Sequence, residues 1–277
     1  MTDAVTRGRT AGQDAPGEVS SVAYRVVGAR VTLPAPDGAR EVLRDVSCDV
    51  VAGEIVGVVG RSGVGKTTLL RVLGGLLPAS SGTVSLHGRA VDAPPAEAVL
   101  VFQDYAGALL PWRTVSRNVA LGLEGRVGRP ERRHRVEHAL RMVGLDGRGG
   151  DYPAGLSGGM AQRVQLARAL AVAPSVLLMD EPFGALDAMT RATLQDVLLD
   201  VQRGSGATVV FVTHDLDEAI YLSDRVIVLA GTPGRVLLDL PTDLPRPRDQ
   251  LRTRELPGYL AARHRIGEAL RADDIED

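Results

Sequence analysis

Gly60-Arg61-Ser62-Gly63-Val64-Gly65-Lys66-Thr67-Thr68 is the stretch that decides the fold. An apolar run, Ile55-Val56-Gly57-Val58-Val59, precedes it and reads as a buried strand. Leu69-Leu70-Arg71-Val72-Leu73-Gly74-Gly75-Leu76-Leu77 follows with helical apolar spacing. Strand, glycine-rich turn, Lys-Thr and helix, in that order, make a P-loop in its expected context. Glycines let the backbone curl around a polyphosphate and present N–H donors without obstruction. The helix that follows adds unpaired N–H groups and a positive dipole end. Lys66 is expected to reach the β- and γ-phosphates, and the Thr67 hydroxyl to ligate Mg²⁺. This much implies a nucleoside triphosphate and leaves its use open.

Working toward the N-terminus, Val22 to Leu33 and Glu41 to Val51 read as strands, with Gly28 marking a bulge. Residues 1–20 are polar and glycine-rich, lack the apolar core of a signal peptide, and read as a disordered leader. Toward the C-terminus, Thr83 to Leu86 is a short strand and Ala98 to Phe102 a buried one that ends at Gln103. From Asp104 to about Ala154 no convincing β run occurs. Thr114 to Leu123 and Pro130 to Val143 read as helices, so the region looks like a helical insertion. Its arginines, from Arg126 to Arg141, read as a solvated helix face. After Leu156, helices alternate with apolar strands as far as Leu240, which implies a mainly parallel sheet covered on both faces. A proline- and arginine-rich linker and a charged helix, roughly Gly258 to Arg271, close the chain.

The 277 residues are 44% hydrophobic and 24% charged, an ordinary globular mix, and the net charge of −2 offers no basic excess for nucleic acid. No apolar run approaches the ~18–20 residues of a membrane span. These features suggest a cytoplasmic protein. Cys48, the one cysteine, sits in an alternating strand and reads as structural.

Two further stretches carry chemistry. Val176-Leu177-Leu178-Met179-Asp180-Glu181-Pro182 is an apolar strand ending in two carboxylates. Asp180 suits a Mg²⁺ position beside the P-loop hydroxyl, and Glu181 is placed to deprotonate an attacking water. Leu156-Ser157-Gly158-Gly159-Met160 combines an N-cap with two glycines at a helix start, a second device for an anion. One nucleotide in one domain has little use for two such devices unless they serve different molecules.

With these residues in view, the chain resembles the ATP-binding cassette (ABC) ATPases. Leu156 to Met160 is similar to their signature motif, Gln103 to the Q-loop glutamine, Gly184-Ala185-Leu186-Asp187 to the D-loop, and His214 to the switch histidine. The resemblance covers about Val22 to Leu240. It implies a P-loop NTPase with a RecA-like, mainly parallel sheet core, an N-terminal antiparallel β subdomain and an inserted helical subdomain. The implied division is a cassette over 21–240, with the helical insertion at 103–160, and a linker and helix over 241–277. ATP and Mg²⁺ are the implied ligands. Residues 60–68 would bind ATP from one chain, and Ser157, Gly158, Gly159 and Asp187 would face it from a second copy in a head-to-tail dimer. Thr67, Gln103 and Asp180 would hold the metal, and Glu181, His214 and Gln103 would serve hydrolysis.

Leu109-Leu110-Pro111-Trp112-Arg113, Asn118 to Leu123, Met160 and Leu244-Pro245-Arg246-Pro247-Arg248 are similar to the importer group for nitrate, sulfonate and taurine. That likeness implies an ATP-hydrolysing subunit on the cytoplasmic face of the membrane. It would work with integral permease subunits and indirectly with an extracytoplasmic solute-binding protein, without nucleic acid. Trp112, the only tryptophan, suits either a docking groove or plain local packing. Leu33 stands where the family places an aromatic residue against adenine, Tyr24 being too far upstream, so adenine would be held by apolar contact. Ala161 stands where the group often has a basic residue. The competing reading is a nucleotide-switched module on nucleic acid or ribosomes; relatives of that kind carry tandem cassettes, coiled-coil insertions or basic arms, and this chain has none of them.

Overall fold

The structure is a computed structural model that describes residues 22–36, 38–103, 107–184 and 186–276, with side chains through 272. The leader expected over 1–20 lies outside the described residues. In chain order the elements are β1 (Val22–Ala35), β2 (Gly38–Val51), β3 (Ile55–Val59), α1 (Lys66–Leu73), β4 (Ser81–Leu86), β5 (Arg89–Ala90) and β6 (Ala98–Val101). Then come α2 (Val115–Val119), α3 (Arg129–Met142), α4 (Gly158–Val172), β7 (Val176–Asp180), α5 (Ala188–Ser205), β8 (Thr208–Val212) and α6 (Leu216–Leu222). β9 (Arg225–Ala230), β10 (Arg235–Pro241) and α7 (Pro257–Glu276) complete the chain.

Two sheets organise these elements. β2-β1-β4-β5 is antiparallel. β10-β9-β3-β8-β7-β6 is parallel except for the antiparallel β9–β10 hairpin. The central strands are continuous apolar runs because both faces of the sheet are covered. The pleat divides their side chains between two cores. Ile55, Val59, Leu177, Met179, Val209 and Phe211 face the helical side. Val56, Val58, Val176, Leu178, Val210 and Val212 face α1 and the antiparallel sheet. Each such side chain contributes about 1.5–3 kcal/mol on burial. Gly28 lies in the left-handed region (φ 59°) where the β1–β2 register slips between Val26 and Ala29, as its bulge requires. Arg225 stitches the two sheets together: it donates to Glu54 and Asp239 at 2.8 and 2.7 Å, and to the Asp49 carbonyl of β2.

Three sequence expectations shift. The helix read over Thr114 to Leu123 is α-helical only to Val119 and continues as a 3₁₀ turn over Ala120–Leu123. β6 stops at Val101, and Ala98 to Leu100 are half-buried rather than buried, because β6 is the sheet edge and has only β7 beside it. The stretch read as a linker after β10 is docked. Arg246 grips Asp224 at 2.7 Å and Gln202 at 2.8 Å. The buried Arg248 donates to the carbonyls of Tyr221 and Ser223 at the end of α6, satisfying groups a helix end leaves unpaired. Gln250 and Tyr259 extend this seam to Asp196 and Asp217, both at distances under 3 Å.

Candidate nucleotide site

β3 delivers the chain to the P-loop, and the loop's shape depends on missing side chains. At Gly65 the backbone is left-handed (φ 107°), and a Cβ there would lie 2.5 Å from Leu43 of β2. α1 starts at Lys66 with no side-chain cap, so its first N–H groups remain available to an anion. Val64 turns its side chain into the core, leaving its backbone to the loop.

A cavity of about 310 Å³ opens over this loop. Its lining brings together Val42, Ser62, Gly63, Gly65, Lys66, Thr67, Thr68, Gln103, Asp180, Glu181 and His214 from five separate parts of the chain. Lys66 Nζ donates to the carbonyls of Gly60 and Arg61 at 2.7 and 2.9 Å. Burial lowers its pKa, while Glu181 and Asp180 act in the opposite sense. Thr67 Oγ1 donates to Asp180 Oδ1 at 3.2 Å. Burial raises the Asp180 carboxyl, and the Thr67 hydrogen bond, Arg71 and Lys66 oppose the shift. The metal-side pair named from sequence therefore meets directly. Among the described residues no group of three or more His, Cys, Asp or Glu could hold a metal ion. The Thr67 hydroxyl and the Asp180 carboxylate are hard oxygen donors of the kind Mg²⁺ takes from protein, one or two at a time, beside phosphates and water.

Glu181 follows β7 in a left-handed conformation (φ 49°), a strain of about 1–2 kcal/mol for a non-glycine residue. Its N–H donates to Val212 O at 3.0 Å, which locks the turn to β8. Its carboxylate lies mostly inside the cleft, and Oε2 is 2.8 Å from His214 Nδ1. His214 itself is 73% exposed.

Other residues singled out in the sequence stand apart. Ser157 caps α4, accepting from Met160 N at 3.3 Å, and neither it nor Gly158 and Gly159 lines the cavity. Asp187 caps α5, accepting from Thr190 N at 3.0 Å, and is likewise away from the P-loop cleft. Leu33 does not line the cavity; Val42, nearer the middle of the hairpin, does. Tyr24 is fully buried and donates to Leu73 O at 2.9 Å, so it cannot stack on a base. Trp112 is 71% exposed and borders a groove with Arg113, Arg117 and Arg132.

Sequence reasoning missed Val42 and Gln162. Gln162 Nε2 donates to the carbonyls of Pro182 and Glu181, so the helix begun by Ser157 holds the turn that carries the Glu181 carboxylate. Its place one turn after the Ser-Gly-Gly stretch was the available signal.

Comparison with known proteins places the chain in a family. The family model described as ABC transporter matches residues 43–184. The nitrate import ATP-binding protein NrtC of Synechococcus elongatus is 46% identical over 228 residues, covering 81% of this chain and 34% of that protein. The chain thus spans about a third of NrtC. The aliphatic sulfonates import ATP-binding protein SsuB 2 of Burkholderia cenocepacia is 47% identical, covering 84% of this chain and 83% of that protein. Among solved structures, the dimeric post-hydrolysis state of the ATP-binding cassette MJ0796 bound to ADP and Pi superposes with a TM-score of 0.72. It is 31% identical and covers 79% of this chain and 98% of the other. The chain belongs to the ABC transporter family and carries the family's ATPase cassette.

Proposed function

We propose that this cassette is the ATP-hydrolysing subunit of an importer that takes up a small anion such as a sulfonate, nitrate or taurine through a separate membrane permease. The reading takes its solute class from relatives named for nitrate and aliphatic sulfonate import. It takes its chemistry from one observation: Lys66, Thr67, Gln103, Asp180, Glu181 and His214 converge on a single cleft. Residues 21–240 form the cassette in this reading, 103–160 its helical insertion, and 241–277 a C-terminal extension. No described helix is long and apolar enough to cross a membrane. The cassette then works on the cytoplasmic face against permease subunits, fed by an extracytoplasmic solute-binding protein. Nothing in the charge or the relatives favours nucleic acid.

The residues divide the work. The backbone of residues 60–68 and Lys66 bind the ATP phosphates. Thr67, Asp180 and Gln103 would hold Mg²⁺, which would supply charge neutralisation for the phosphates. Glu181 accepts a proton from the attacking water as the bond between the γ-phosphorus and its bridging oxygen breaks, giving ADP and phosphate. His214 holds the Glu181 carboxylate and faces the γ-phosphate. Ser157, Gly158, Gly159 and Asp187 of a second copy close the open side of the cleft, making a head-to-tail dimer with two composite sites.

The test is reconstitution. Co-purification with a two-subunit permease from solubilised membranes, and ATP-dependent uptake of a sulfonate or nitrate into proteoliposomes, are the expected results. Co-purification with ribosomes or DNA, without uptake, would overturn the proposal.

A further inference from the structure

The exposed His214 sits on the turn between β8 and α6, and its position depends on what fixes that turn. Asp215, the next residue, does so in three directions. Its N–H donates to Thr213 Oγ1 at 3.0 Å. Its Oδ1 accepts from the N–H groups of Asp217 and Glu218 at 2.9 and 3.1 Å, capping α6. Its Oδ2 accepts from Arg191 of α5 at 3.3 Å. The other end of the same guanidinium donates to Leu186 O at 3.3 Å. Leu186 immediately precedes Asp187, whose carboxylate caps α5. One planar fork therefore spans two loops that leave the sheet from different strands, the loop after β7 and the turn after β8. Gln195, one helical turn further along α5, repeats the link by donating to the buried Glu218 of α6 at 3.5 Å.

We propose that Arg191 is a positioning residue for hydrolysis, carrying the arrangement of the Leu186–Asp187 loop to the His214 turn. The inference rests on the reading of Asp187 as facing a second copy and of His214 as part of the hydrolytic site. On that reading, closure of two cassettes presses on the loop that Arg191 holds, and the fork sets where His214 meets Glu181. A lysine can reach one of the two acceptors but cannot span both in a fixed plane.

The test uses the whole chain and compares Arg191→Ala, Arg191→Lys, His214→Ala and the double variant His214→Ala with Arg191→Ala. Arg191→Ala should lower kcat for ATP about tenfold, the scale of a misplaced catalytic group, with KM within about twofold. Arg191→Lys should fall between it and the wild type, with an unchanged melting temperature. In the His214→Ala background, Arg191→Ala should cost nothing further, because it acts through His214. A full additive loss in that background, or a loss confined to KM, would overturn the inference. Undiminished turnover of His214→Ala alone would refute the role of His214 rather than the link. The link is then judged by the imidazole NMR signals of His214, and signals unmoved by Arg191→Ala would sink it.

Discussion

His214 Nδ1 and Glu181 Oε2 are 2.8 Å apart, joining a residue after β8 to one after β7 across the mouth of the cleft. Glutamine at 181 keeps an oxygen for that contact and loses the ability to take a proton. Glu181→Gln should therefore lower ATP turnover by about 10²–10⁴-fold, or ~3–5 kcal/mol of barrier, while ATP binding by a fluorescent analogue stays near wild type. Retained turnover in this variant would remove Glu181 as the base.

Ser157 sits at the exposed start of α4, away from the P-loop cleft of its own chain. If it completes the site of a second copy, Ser157→Arg should cut the ATPase rate more than about tenfold without weakening ATP binding to the monomer. Mixing Ser157→Arg with Lys66→Ala should restore activity, because one of the two composite sites in the mixed dimer is then intact. Two inactive proteins that remain inactive on mixing would argue for a site built within one chain.

Gly234, on the β9–β10 hairpin, meets the P-loop from behind. A Cβ there would lie 2.0 Å from Val64 O, and its own N–H and C=O are paired with Val42 and Arg44. Gly234→Ala should cost about 1–3 kcal/mol of stability by overpacking and weaken nucleotide binding as well. Thermal unfolding and nucleotide titration of the same sample read both effects, and no change in either would mean the hairpin yields freely.

Burial pushes the Glu218 carboxyl up to about 8 from an ordinary value near 4.5, with Asp215 and Glu181 adding to the shift and Thr213 and Arg191 opposing it. The folded protein thus holds a proton here that the unfolded chain releases. This contribution is fully present below about pH 4.5 and is lost as pH rises to about 8. Glu218→Gln should flatten the fall in stability between pH 5 and 8, by a few kcal/mol at most. Urea unfolding at both pH values measures it, and parallel losses in the two proteins would contradict the assignment.

The parts of the site legible in the sequence are those encoded within a few residues. An apolar run followed by Gly-x-x-x-x-Gly-Lys-Thr, or by Asp180-Glu181, states both the strand and what its end presents. Val42 was not legible in the same way. Its place over the P-loop depends on the β1–β2 hairpin folding across β3 and α1, a non-local event with no local signature. The docking of Arg246 and Arg248 was illegible for a related reason. Prolines and arginines together read as a linker, and their partner Asp224 lies some twenty residues back, at the foot of β9. The half-burial of β6 reflects which strand ended at the sheet edge, and an apolar tetrapeptide reads alike at the edge and in the middle.

The order β10-β9-β3-β8-β7-β6 has a consequence for the chain as it is synthesised. β3 is the first strand of its sheet to leave the ribosome, but its neighbours are β8 and β9, some 150 to 170 residues later. Until β8 has emerged, ending at Val212, the P-loop strand has neither of its sheet partners and Glu181 cannot meet His214; the second partner, β9, ends only at Ala230. A nascent chain therefore carries this apolar strand unpaired for about half of its synthesis, the circumstance in which chaperones matter and ATP cannot yet help.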